Sequence, residues 1–124
     1  MLDSYLQLFP CVALLGVRQC GKTTLLRTLP PAWKHYDLER QADHEVITRD
    51  PDAFFRLNPR HVALDEVQVA PQLFRALRVA IDEQRAENGR FVITGSSSPA
   101  LLRSVSESLA GRVGLMRWIT TSTP

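Results

Sequence analysis

The sequence is poor in cysteine and histidine, and it contains no run of basic residues and no long hydrophobic segment. Its two cysteines, Cys11 and Cys20, form no CxxC pair, which argues against a disulfide framework or a cysteine zinc site. The three histidines lack the spacing of metal ligands. No apolar run approaches the ~18 residues of a membrane span, and the start lacks the features of a secretory leader. These absences predict a cytoplasmic protein that does not enter a membrane.

The composition is that of an ordinary globular protein. Hydrophobic residues make up 44% of the 124 residues and charged residues 23%, which is enough chain for one domain with its own core. The 15 basic and 13 acidic residues are intermixed and leave a net charge of +2. Because no basic stripe stands out, the sequence does not support nucleic-acid binding.

Short apolar runs alternate with helical stretches along the chain. Strands are predicted at 11–16, 34–39, 61–67, 91–95 and 112–119. Helices are predicted at 22–29, at 50–59, from Pro71 to Asn88-Gly89, and from Ser98-Pro99 to Gly111. This alternation indicates a parallel sheet with crossover helices, which is an α/β fold.

A phosphate-binding pattern lies between the first predicted strand and the first predicted helix. Residues 16–23 match G-x-x-x-x-G-K-[ST] at every fixed position. Successive backbone N–H groups and a helix N-terminus would hold phosphate oxygens there, and Lys22 would reach the β- and γ-phosphates. Thr23 would bind Mg²⁺ and Thr24 would contact the α-phosphate. The alternative is a glycine turn with a surface lysine. The predicted nucleotide-binding residues are Gly16, Val17, Arg18, Gln19, Cys20, Gly21, Lys22, Thr23 and Thr24.

A second pattern, HVALDEV, ends an apolar strand with two adjacent acids. Ligands of parallel sheets bind at the carboxyl ends of the strands, so Asp65 is predicted to hold Mg²⁺ through a water. Glu66 is then placed to orient and deprotonate the attacking water. The alternative is a solvated strand end. The acid pair and the lack of an N-K-x-D segment favour ATP over GTP.

Hydroxyl residues and an arginine complete the set of candidates. Thr94, Ser96 or Ser97 would contact the γ-phosphate or the attacking water, with Ser96 favoured; otherwise this serine-rich turn only caps the next helix. Arg112 would stabilise transition-state charge on the γ-phosphate of a neighbouring subunit, or else is a solvated residue at a strand start.

Three segments together resemble one family: GVRQCGKTTLLRTL, HVALDEVQVAPQLFRALRVAID and RFVITGSSSPALLRSVSESLAGRV. They are similar to the AAA-type ATPase domain of bacterial and archaeal predicted ATPases that usually carry a further C-terminal domain. The resemblance implies a three-layer α/β/α P-loop fold whose five parallel strands are ordered 5-1-4-3-2. It also implies that Lys22 and Thr23 form Walker A, that Asp65 and Glu66 form Walker B, and that Ser96 is the first sensor. Arg112 is the implied arginine finger, and Gln68 is implied to position Glu66 or to couple it to a partner.

The chain departs from the family at two points. Cys20 stands where members usually have valine, which should leave the loop intact. Residues 1–124 are expected to form a single AAA-like core without the helical lid or the C-terminal domain. An exposed docking face would then favour a homo-oligomer or a protein partner.

The sequence therefore predicts an ATP-binding, Mg²⁺-dependent ATPase core. One alternative is a nucleotide-binding interaction module, or a degenerate fragment, without useful hydrolysis. A small-molecule kinase is a third hypothesis, but the sequence shows neither an arginine-rich lid nor an acceptor pocket.

Overall fold

The computed structural model describes residues 2–16 and 25–118 of the chain. Its helices are α1 (Leu2–Leu8), α2 (Gln41–Thr48), α3 (Pro51–Leu57), α4 (Leu73–Glu83) and α5 (Pro99–Leu109). Its strands are β1 (Cys11–Gly16), β2 (Lys34–Asp37), β3 (Val62–Asp65), β4 (Phe91–Gly95) and β5 (Val113–Trp118). A 3₁₀ turn at Val67–Val69 follows β3.

The strands form one five-stranded parallel sheet in the order β2-β3-β4-β1-β5. This is the predicted order 5-1-4-3-2 read from the other side, so the expected fold class is confirmed. β1 lies between β4 and β5, and all six of its residues are buried. Because the strands run in one direction, their carboxyl ends share one edge of the sheet, the carboxyl edge, and their amino ends share the opposite amino edge.

Each face of the sheet packs against its own apolar cluster, which gives the three layers. The first face carries β-strand residues such as Leu15, Leu64 and Ile93, and α2 to α5 cover it. The second face carries residues such as Leu14 and Val92, and α1 and the segment 25–33 cover it. Strands that are buried on both faces read as continuous apolar runs, which is why β1 and β4 were recognisable in the sequence.

Local sequence signals explain where several helices begin. Asp50 accepts a hydrogen bond from the backbone N–H of Ala53 at 3.1 Å, and Pro51 occupies the first turn of α3. Ser98 accepts from the N–H of Leu101 at 3.3 Å ahead of Pro99 in α5. Such side-chain caps satisfy a backbone donor at a helix start and contribute about 1 kcal/mol each.

The structure corrects the sequence prediction in the helical regions. α4 ends at Glu83 instead of at Asn88-Gly89, because no apolar residue after Ile81 packs against the sheet. Gly89 has a φ of 71°, and its N–H donates to the carbonyl of Phe9 at 2.9 Å, so it lies in a loop packed on the end of α1. α1 and α2 were not predicted. The predicted helix 22–29 lies partly outside the described residues, and within it the chain is helical at Leu25 and Leu26.

Candidate functional site

The carboxyl edge brings together the ends of three neighbouring strands. β3 ends at Asp65, β4 ends at Gly95, and β1 ends at Gly16. β4 pairs with β3 on one side and with β1 on the other, and Gly95 is in register with Leu15. The acid pair, the hydroxyl turn (Ser96, Ser97 and Ser98, directly after β4) and the start of the phosphate-binding pattern therefore lie at the ends of adjacent strands, at the edge where parallel sheets bind their ligands.

Most of the phosphate-binding pattern lies outside the described residues. Gly16 is described and is the last residue of β1. The predictions for Val17, Arg18, Gln19, Cys20, Gly21, Lys22, Thr23 and Thr24 fall in the segment 17–24, to which the description does not extend. They remain predictions from the sequence.

Thr94 connects the two acids of the second pattern. Its hydroxyl donates a hydrogen bond to Oδ1 of Asp65 and accepts one from the backbone N–H of Glu66 at 3.1 Å. Thr94 is fully buried, and a buried hydroxyl that both donates and accepts has a fixed orientation. One side chain of β4 thus positions both the carboxylate of Asp65 and the backbone of Glu66.

Glu66 adopts a left-handed backbone conformation, with φ 60° and ψ 54°. A side chain with a Cβ is strained there, and strain of this kind clusters at functional sites. Glu66 directly follows β3 and precedes the 3₁₀ turn, in which Val67 is buried. This turn brings the side chain of Gln68 back over Glu66, and its Nε2 donates to Oε1 of Glu66 at 2.8 Å.

The hydroxyl turn after β4 contains residues with separate roles. The backbone N–H of Ser96 lies 3.4 Å from Oε1 of Gln68, to which it donates a long hydrogen bond. Ser98 caps α5, as the sequence indicated. The structure therefore brings Ser96 to the same edge as Asp65 and Glu66, while Thr94 makes the direct contact with the acid pair.

A cavity of about 310 Å³ opens beside Asp65 on the second face of the sheet. Leu26 and Ala63 contribute to its apolar wall, and His35 and Tyr36 also line it. The remaining lining residues are charged and of both signs: Arg27, Asp37, Arg40, Asp43 and Asp65. A larger cavity of about 500 Å³ lies between α3 and α4, and none of its lining residues belongs to the carboxyl edge. The smaller cavity is therefore the one adjoining the candidate site.

Arg112 lies away from this group, at the amino edge, directly before β5. Its Nε and Nη2 donate to the two carboxylate oxygens of Asp82 at 2.7 and 3.0 Å. This pairing raises the pKa of the Arg112 guanidinium, and the hydrogen bond from Arg112 lowers the pKa of the Asp82 carboxyl. Within one chain, the structure does not bring Arg112 to Asp65 and Glu66.

Two residues of β4 matter more to the site than the sequence indicates. The sequence favours Ser96 over Thr94 and Ser97 as the functional hydroxyl, and it does not point to Gly95. A Cβ at Gly95 would lie 2.8 Å from Oε1 of Gln68 and closer still to Cδ2 of Leu101, so a side chain at this position would displace both neighbours. The identity of the residue, a glycine between two hydroxyl residues, was the available signal.

Residues 2–16 and 25–118 contain no helix that is long and apolar enough to cross a membrane. The same residues contain no group of three or more His, Cys, Asp or Glu side chains placed to hold a metal ion.

Comparison with known proteins matches residues 9–123 to the AAA domain family. Uncharacterized proteins of Mycobacterium bovis and Mycobacterium tuberculosis are each 41% identical to the chain over 111 residues. The aligned region is 86% of this chain and 24% of each relative, so the chain spans about a quarter of the length of these curated relatives. Since the family match covers nearly all of the sequence and the sheet has the expected strand order, the chain belongs to the AAA domain family, whose character is nucleotide-binding and ATPase-like.

Proposed function

We propose that this domain binds ATP together with Mg²⁺ and hydrolyses it to ADP and phosphate. The observation that carries the proposal is the Thr94 hydroxyl, which ties the carboxylate of Asp65 to the backbone of Glu66 at the carboxyl edge. The G-x-x-x-x-G-K-T pattern continues from the end of β1, which is the strand next to β4 in the sheet. In this proposal Asp65 would bind the metal and Glu66 would activate water, next to the segment that would bind the phosphates.

The donor set near Asp65 suits Mg²⁺. Mg²⁺ prefers oxygen ligands and is usually held by one or two protein groups, with waters and substrate phosphates completing the shell. Asp65 supplies a half-buried carboxylate whose orientation is held by Thr94, and Thr23 would supply a hydroxyl. When bound, Mg²⁺ would neutralise charge on the β- and γ-phosphate oxygens.

Residues of the chain would perform the remaining steps. The backbone N–H groups of the segment 16–23 and the ammonium of Lys22 would bind the phosphates. Glu66 would accept a proton from a water molecule as that water attacks the γ-phosphorus. The bond between the γ-phosphorus and the bridging oxygen then breaks, its electron pair leaves with ADP, and phosphate is released.

A second function is nucleotide binding without hydrolysis, as in a switch or an interaction module. One observation favours it: Gln68 already occupies Oε1 of Glu66 through a hydrogen bond of 2.8 Å. In this second function the hydrogen bond would hold the carboxylate away from water, whereas in the hydrolytic function it would orient the carboxylate.

The first experiment compares the two lysines of the sequence, Lys22 and Lys34. ATP binding is measured by calorimetry with and without Mg²⁺ for the parent protein, Lys22→Ala and Lys34→Ala. Lys34 is a matched control because it lies at the amino end of β2, where its Nζ donates to Oδ1 of Asn58 at 2.9 Å. We expect Mg²⁺-dependent binding that is lost only in Lys22→Ala. Equal loss in both variants, or no binding at millimolar ATP, would refute the proposed site.

Hydrolysis is then measured as phosphate release by the parent and by Glu66→Gln. Turnover that falls at least about 100-fold in Glu66→Gln, with ATP affinity retained, is expected of a catalytic base. Binding without turnover in both proteins would instead identify the non-hydrolysing function.

A further inference from the structure

The Gln68 side chain bridges two strand ends that are far apart in sequence. Its Nε2 donates to Oε1 of Glu66 at 2.8 Å, and its Oε1 accepts from the backbone N–H of Ser96 at 3.4 Å. Glu66 follows β3 and Ser96 follows β4, so the bridge spans both strands at the carboxyl edge. The second hydrogen bond is longer and therefore the weaker link of the pair.

The chemistry of this bridge requires an amide. A primary amide carries a donor and an acceptor on one planar group, so it can give a hydrogen bond to a carboxylate and receive one from a backbone N–H. A glutamate at position 68 would repel Glu66 when ionised, and a lysine would leave the N–H of Ser96 without its acceptor. The residue type observed is the one that satisfies both neighbours.

The surrounding backbone is shaped to admit the amide. Gly95 lies between the two hydroxyl residues at the end of β4, and a Cβ there would lie 2.8 Å from Oε1 of Gln68 and closer still to Cδ2 of Leu101, so the glycine leaves room for both side chains. The left-handed backbone of Glu66 and the buried Val67 set the path of the 3₁₀ turn that carries Gln68. The backbone at Glu66, the buried Val67 and the glycine at position 95 thus all bear on the position of the Gln68 side chain.

We propose that Gln68 is the positioning residue for Glu66, and that it couples the orientation of the Glu66 carboxylate to the position of Ser96. The inference rests on the proposed function, in which Glu66 activates water, and on the sequence prediction that Ser96 contacts the γ-phosphate. A shift of the Ser96 backbone would move the amide of Gln68 and thereby turn the carboxylate. Hydrolysis would then depend on the state of the β4 end, although Gln68 itself touches neither water nor nucleotide.

The test is a double-mutant cycle with the parent, Gln68→Ala, Glu66→Gln and the double variant. Gln68→Ala is expected to lower kcat by about 10- to 100-fold with ATP affinity unchanged, because a misdirected base slows chemistry and not binding. In the Glu66→Gln background the same change is expected to have no further effect on kcat. Gln72→Ala, which removes an exposed glutamine four residues away, serves as the matched control.

Equal losses of kcat in both backgrounds, or parallel losses of kcat and affinity, would show that Gln68 only supports the fold and would overturn the proposal. A second measurement does not depend on turnover. The backbone amide hydrogen of Ser96 is expected to exchange with solvent faster in Gln68→Ala than in the parent, and at the parental rate in Gln72→Ala. An unchanged exchange rate in Gln68→Ala would overturn the coupling whether or not the protein hydrolyses ATP. Failure of the parent to bind ATP would refute the proposed function alone.

Discussion

The hydroxyl of Thr94 on β4 donates a hydrogen bond to the carboxylate of Asp65 on β3. The same oxygen accepts the backbone N–H of Glu66 at 3.1 Å. Because Thr94 is fully buried, neither bond competes with bulk water, and a chain of such bonds is stiffer than its separate members. The two acids therefore do not depend on a flexible strand end for their position, since the sheet itself holds them through the neighbouring strand.

Replacing Thr94 by valine tests this relationship. Thr94→Val keeps the shape of the side chain but removes the hydroxyl that accepts from the N–H of Glu66 and donates to the carboxylate of Asp65. We expect a loss of about 1–3 kcal/mol in the free energy of unfolding, the range for a buried polar group that loses its partner. Urea denaturation measures the loss, and Mg²⁺-dependent ATP affinity is expected to weaken with it. Thr94→Ser, which retains the hydroxyl, should recover most of the stability; equal destabilisation in both variants would contradict the assignment.

Because the backbone at Glu66 is left-handed, replacing this residue by glycine should give a more stable protein than replacing it by alanine, the reverse of the usual order. At ordinary positions glycine is less stable than alanine by roughly 0.5–1 kcal/mol because it loses more conformational freedom on folding. At a left-handed position alanine is strained by roughly 1–2 kcal/mol. Glu66→Gly is therefore expected to be more stable than Glu66→Ala, although both lose the carboxylate.

Urea denaturation of these two variants provides the measurement, and His61 provides a matched site. His61 also has a positive φ of 62°, and it lies at the amino edge, away from the acid pair. His61→Gly should likewise be more stable than His61→Ala, with ATP affinity unchanged in both. If Glu66→Ala proved the more stable member of its pair, the left-handed conformation would be wrong.

The sheet was readable in the sequence because its strands are buried on both faces. The run Cys11–Gly16 contains no polar side chain, and a parallel strand at the centre of a sheet requires that composition. The presence of β3 was equally clear, since an apolar run ends there in two acids, but the predicted strand 61–67 ran two residues past Asp65, where the structure ends it. Where such strands are parallel, the common edge of their carboxyl ends follows without further information.

The details of the site depended on register, which the sequence does not contain. β3 and β4 pair with Leu64 opposite Ile93, and this register brings Thr94 to Asp65. A shift of one residue would have brought a different side chain to the acid. The left-handed conformation of Glu66 was equally hidden, because nothing in a glutamate's local sequence favours it.

The missed helix α2 illustrates a different limit. Of its eight residues only Ile47 is buried, and Arg40 at its start makes no side-chain cap. A helix with so little apolar surface and no cap leaves almost no periodic signal. Its position follows from tertiary packing against the sheet and from the hydrogen bond of Asp43 to the backbone N–H of Asp37 at 2.9 Å.

Cys11 should report unfolding of the domain. It is fully buried in β1, and burial raises the pKa of its thiol. Only the thiolate reacts with alkylating reagents, so iodoacetamide should not modify Cys11 in the native state. In a Cys20→Ser variant, alkylation should be at least roughly 1,000-fold slower in buffer than in urea, because only the unfolded fraction reacts. Mass spectrometry gives the rates, and rapid modification in buffer would contradict the burial of this strand.

The ion pair between Asp82 and Arg112 predicts a pH dependence of stability. The hydrogen bond from Arg112 holds the pKa of the Asp82 carboxyl below its ordinary value of 3.8. Above that value the carboxyl is ionised in both the folded and the unfolded chain, so the full stabilisation is present. As the pH falls below 3.8 the unfolded chain takes up the proton first, and the stabilisation is lost as the pH passes through the lower folded pKa.

Asp82→Asn is therefore expected to unfold at slightly lower urea concentration than the parent at pH 7 and at pH 5. The difference should shrink below pH 4, since the parent then loses the charge that the variant lacks. The effect is small because the pair is exposed and water screens it. Glu83→Gln is the control, because Glu83 is the adjacent acid and makes no salt bridge among residues 2–16 and 25–118. A parent-to-variant difference that stayed constant down to pH 3 would show that Asp82 acts through packing and not through its charge.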